Sequence, residues 1–146
     1  MTTGLPVFDT TVQETNRWLA RVQAMLPASS RQQAYAATRA VLHVLRDRLP
    51  MDAVLGLSAQ MPMLMRGLFL EGWRPDAGPT AIRTPEAFRD AVADRLPAGF
   101  PRSAEAITPA VFAVLADRID PGETDKLRRH LPESLRALWP ADHPVA

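Results

Sequence analysis

The chain has 146 residues, 47% of them apolar and 23% charged, which is the balance of a folded domain with a buried core and not of a disordered segment. A net charge of +1 leaves no bulk basicity with which to hold nucleic acid, and the lack of cysteine removes disulfides, thiolate nucleophiles and cysteine zinc sites. No stretch reaches the ~20 apolar residues of a membrane span; the longest, residues 61–70, is broken by Arg66.

Residues 1–9 read as a lead-in, without the basic start and apolar run of an export signal, so a cytoplasmic protein is expected. Thr10 with Gln13, or Thr11 with Glu14, has the form of a capping box and predicts a helix to about Leu26. Val12, Thr15, Leu19, Val22 and Leu26 recur on one face of it, with Trp18 and Met25 beside them, and Pro27 ends it. Ser30 and Gln33 form a second box, opening a helix to about Leu49 whose stripe is Ala34, Thr38, Val41 and Leu45. After Pro50, Asp52 can cap a third helix to about Gln60. Pro62 fits only the first turn of a new one, which Gly72 stops.

Residues 74–83 have the composition of a connection. Thr84, Pro85 and Glu86 then supply a cap, a first-turn proline and an acid at the positive end of the helix dipole, with a stop at Leu96 and Pro97. The next helix either begins at Thr108 or bends at Pro109, with a turn from Ser103. Asp120 and Glu123 read as another capping box, Pro132 as another break, and residues 141–146 as a frayed end. The fold class is therefore all-α, with about eight helices and no strand.

Residues 40–69 align without a gap on residues 110–139, a shift of 70, with ten of 30 positions identical, among them Asp47/Asp117, Pro62/Pro132 and Arg66/Arg136. The chain is thus expected to be one domain of two four-helix repeats, residues 10–73 and 84–139, joined by 74–83. Each is too small to bury its own apolar face and must stack on the other. The halves differ in charge: residues 1–70 carry 7 Arg against 4 Asp+Glu, and residues 71–146 carry 10 Lys+Arg against 12 Asp+Glu.

Asp47 and Asp117 fall in the last turns of their helices, where a carboxylate opposes the dipole by about 0.3–1 kcal/mol. Their recurrence calls for a structural partner: Arg66 and Arg136, or the free N–H groups of the following helix. His43 stands four residues before Asp47, close enough for the carboxylate to orient its ring, but its counterpart in the repeat is Ala113. His130 lies in an arginine run and His143 in the tail, and no metal-ligand spacing, phosphate loop or nucleophile elbow is present, so no cofactor is expected. Met61, Met63 and Met65, with Phe69 and Trp73 beyond and Met51 before, form either core filling between the halves or an adaptable surface for a partner or ligand.

Residues 7–19, 40–49, 59–73 and 122–139, including Leu-Arg-Asp-Arg-Leu and Arg-Gly-Leu-Phe-Leu-Glu-Gly-Trp, resemble the bacterial family known as domain of unknown function 2267. The resemblance spans nearly the whole chain and implies a small all-helical domain, with no catalytic residue to carry over. The expected function is a non-enzymatic interaction or regulatory module that binds a protein or associates with itself, without nucleic acid or membrane. A binder of a small apolar ligand between the repeats is the alternative, and a hydrolase-type enzyme using His43, Asp47 and Glu71 is third.

Overall fold

A computed structural model describes residues 2–140, so the expected fraying of 141–146 lies outside the described residues. Eight α-helices follow one another: α1 (Pro6–Met25), α2 (Arg31–Arg48), α3 (Met51–Ala59), α4 (Met63–Leu70), α5 (Pro85–Arg95), α6 (Ala104–Arg118), α7 (Pro121–His130) and α8 (Glu133–Arg136). A single 3-10 turn, Pro75–Ala77, interrupts the connection, and no strand occurs among the described residues.

Most helix boundaries have the local chemistry read from the sequence. Ser30 makes its capping box, the hydroxyl accepting from Gln33 N–H while the Gln33 side chain accepts from Ser30 N–H. Thr84 and Ser103 accept from the N–H groups of Ala87 and Ala106, and Gly72, at φ +76°, turns the chain out of α4.

Four expectations need correction. α1 begins at Pro6, more than a turn before Thr10. Pro6 takes the first helical position, so no capping box forms at Thr10 or Thr11; the Thr11 hydroxyl instead accepts from Leu64 N–H, capping α4 from a neighbouring helix at 2.8 Å. Asp52 lies in the first turn of α3 and makes no cap bond. Asp120 accepts from Gly122 N–H at 3.0 Å as a tight local turn, and Glu123 does not return the bond. Of the two readings of α6, the start at Thr108 fails: the helix starts at Ala104 behind Ser103 and runs through Pro109, which is exposed.

The core is the crossing of α2 and α6. Ala34, Ala37, Val41, Leu42 and Leu45 from one, and Ile107, Val111 and Leu115 from the other, are fully buried. Around this pair the contacts are exchanged: α1 packs on α2 and α6, α5 packs on α6 and α2, and α3 packs on α7. α2 and α6 end 70 residues apart, as α3 and α7 and then α4 and α8 begin 70 apart. Met61, Met65 and Phe69 are buried, and so are Leu131, Leu135 and Trp139 at the same shift.

Arg66 and Arg136 also do one job in two places. Arg66 donates to the carbonyls of Ser58 and Met61 (3.0 and 3.2 Å), and Arg136 to those of Arg128 and Leu131 (2.9 and 3.3 Å). Each guanidinium satisfies the open carbonyls at the end of the preceding helix. Neither reaches Asp47 or Asp117, which corrects the expected pairing. Asp47 is held by Arg46 (2.9 Å) and by Arg95 of α5 (2.7 Å), and Asp117 by Arg21 of α1 (2.6 Å). Each repeated aspartate thus ties its own half to the first helix of the other. No helix among the described residues is long and apolar enough to cross a membrane.

Candidate functional site

Arg39, His43 and Arg46 stand at i, i+4 and i+7 on α2 and share one face. That face, the segment leaving α4 and the end of α5 enclose a cavity of about 390 Å³, into which Asp47, Glu71, Trp73 and Arg95 also open. The connection closes one side, pinned where Thr80 N–H donates to the Asp47 carbonyl (2.8 Å) and Arg48 to the Ile82 carbonyl (2.6 Å).

Arg46 is the anchor. Only 3% exposed, it donates to the carbonyls of Phe69 (3.0 Å) and Glu71 (2.8 Å) and to the Asp47 carboxylate. A buried guanidinium is tolerated only when its donors are met in this way. The sequence reading missed it; the available signal was that α6 carries Ala116 in its place.

His43 is also buried, and Nε2–H donates to the Leu68 carbonyl at 2.7 Å, so the ring is oriented by backbone and not by Asp47 as expected. Burial lowers its pKa, the Leu68 bond opposes that, and the positive charges of Arg46, Arg39 and Arg95 push it further down; the ring is neutral at pH 7. Glu71, its side chain exposed, is held by Arg39 at 2.5 Å, which lowers the carboxyl pKa and raises that of the guanidinium. His43, Asp47 and Glu71 thus border one cavity, each engaged by a different group. No three His, Asp or Glu among the described residues are grouped as a metal site.

Residues 15–138, from the middle of α1 to beyond α8, match the family described as uncharacterized conserved protein DUF2267. The chain belongs to the DUF2267 family. A comparison with curated proteins finds no match.

This DUF2267 protein also carries an open apolar groove of about 720 Å³ between α1, the start of α2 and α4. Phe8, Val12, Leu19, Tyr35, Met63 and Leu64 line it, and Asn16, bonded to Arg31, sits at its rim. The methionine segment is thereby divided. Met61, Met65 and Phe69 are core at 3%, 0% and 0% exposure, which removes them from the expected partner surface. Met63 is 52% exposed and joins the groove, whereas Trp73 faces the polar cavity. The division follows helical geometry: 61, 65 and 69 repeat every fourth residue, and 63 falls on the opposite side. Phe8, in the stretch read as a lead-in, is an unforeseen part of the groove's lining, and Leu5 and Val7 next to it in sequence are exposed as well. Pro6 was the signal, since proline is at home in a first turn.

Proposed function

We propose that this DUF2267 protein is a non-enzymatic interaction module whose apolar groove receives an acidic amphipathic helix of a partner protein. One observation carries the reading. All nine large apolar side chains exposed among the described residues lie between Leu5 and Leu64, in the first half of the chain. In the second half, the positions of Met25, Tyr35, Leu55, Met63 and Leu64 hold Arg95, Glu105, Asp125, Glu133 and Ser134. The same helices fold with polar residues there, so packing does not require the apolar ones, and four of the nine, Phe8, Tyr35, Met63 and Leu64, come together as the lining of the groove.

A groove between two helices fits the apolar face of a third, read through anchors at i, i+3 and i+4. Of the charged groups at the groove, Glu71 is already paired with Arg39, while Arg31 rests on Asn16 at the rim (3.4 Å), and it is this rim cation that an acidic partner would meet.

The test transplants the second half's own residues, Met63→Glu with Leu64→Ser, and compares binding of a panel of acidic and basic amphipathic helical peptides by fluorescence anisotropy. Acidic peptides should bind the natural chain and lose at least about tenfold in affinity, ~1.4 kcal/mol, to the variant. Undiminished binding to the variant, or preference for the basic set, refutes the reading. A dimer in light scattering that the double substitution turns into a monomer replaces it with self-association.

A further inference from the structure

The polar cavity at the end of α2 has no place in the helix-binding reading and stands on different observations. We propose that it is a binding site for a small oxyanion, a phosphate or carboxylate group, seated among Arg39, Arg46 and Arg95 beside Trp73. Around the cavity, four guanidiniums (Arg39, Arg46, Arg74 and Arg95) face two carboxylates, Asp47 and Glu71. Arg46 and Arg95 share the single carboxylate of Asp47 (2.9 and 2.7 Å), so one positive charge at the floor is left without a counterion of its own.

Glu71 shows what the rim recognises. Its carboxylate, on an exposed side chain, rests on Arg39 at 2.5 Å, and a ligand head group of the same chemistry would take its place. The volume, about 390 Å³, lies within the range of small-ligand sites.

The repeat supplies the control. On α6 the positions of Arg39, His43 and Arg46 hold Pro109, Ala113 and Ala116, while Asp117 matches Asp47 and keeps one arginine partner, Arg21. The aspartate serves the scaffold in both halves. The Arg-His-Arg face is added in one half only; His43 and Arg46 there also hold the carbonyls that end α4, whereas Arg39 bonds only the exposed Glu71 side chain. His43, neutral and bonded to Leu68, fills the wall behind the guanidiniums without adding a competing carboxylate.

Phenyl phosphate and benzoate are titrated into the full chain at low, constant ionic strength, following Trp73 emission and heat; Trp18 and Trp139 are buried away from the cavity. Saturable binding of either probe is expected, and the better of the two identifies the head group. Arg39→Gln and Arg95→Gln, at half-exposed positions, should each weaken it by about tenfold or more while far-ultraviolet circular dichroism stays unchanged. Met63→Glu with Leu64→Ser should leave it intact, which separates this site from the groove. No saturable signal for either probe up to about 10 mM overturns the proposal. So does binding that survives the double Arg39→Gln and Arg95→Gln substitution.

Discussion

Arg46→Ala is the most informative single change to the scaffold. It removes three donations at once: to Asp47 at 2.9 Å, to Phe69 O at 3.0 Å and to Glu71 O at 2.8 Å. Hydrogen bonds to a charged donor contribute about 1.5–3 kcal/mol each before the desolvation of the group itself is set against them. Because the Arg46 charge is only 3% exposed, much of that is returned when the guanidinium goes. Asp47 keeps Arg95, so its carboxylate is not left alone. What remains is two carbonyls at the end of α4 without donors, a loss of about 2–4 kcal/mol. For a domain of this size that lowers the melting temperature by roughly 5–15 °C. Urea unfolding, read as a change in midpoint at constant slope, measures it directly. Arg46→Lys, with charge but no fork, should recover only part of the loss. A change below about 1 kcal/mol for Arg46→Ala would show that water replaces the guanidinium freely and that Arg46 holds nothing together.

Other perturbations test other joints. Arg66→Ala and Arg136→Ala should each cost about 1 kcal/mol, because both are partly solvated and clamp the same carbonyls of their helices; unequal losses in urea midpoints would break that equivalence. The depressed pKa of His43 means that the unfolded chain binds a proton first as pH falls below the ordinary value of 6.5, so stability is full above that value and is lost on further acidification toward the folded pKa. His43→Ala should flatten this acid limb in a series of melting curves, and an unchanged slope would assign it elsewhere. Thr38 and Thr108, fully buried with unpartnered hydroxyls at matching positions of α2 and α6, should each gain about 1 kcal/mol as Val. Ala28, at φ +68°, is held in the left-handed region, and Ala28→Gly should add about 0.5–1 kcal/mol of stability, read from the urea midpoint at constant slope.

The helices were legible because proline and the small capping residues punctuate the chain. Ser30, Thr84 and Ser103 cap as their types dictate, and Pro62 and Pro132 each mark a helix start. What stayed hidden were side chains whose role depends on a distant element. Thr11 reads as a local cap but reaches α4, and Asp47 reads as a partner for Arg66 but meets α5. Arg46 looks like any surface arginine until α4 ends against it. The cavity is invisible to motif reading for the same reason: Arg39, Glu71 and Arg95 come from three segments that only packing joins.

The crossed aspartates have a consequence for the chain as an object. Asp47 grips α5 and Asp117 grips α1, with α2 lying on α6 between them, so the helices before residue 74 and those after 83 are joined by more than the peptide that links them. The peptide between them is a tether and not a hinge. Nicked by a protease within residues 74–83, the molecule should stay in one particle, and its two fragments, mixed after denaturation, should find each other as strangers' subunits would.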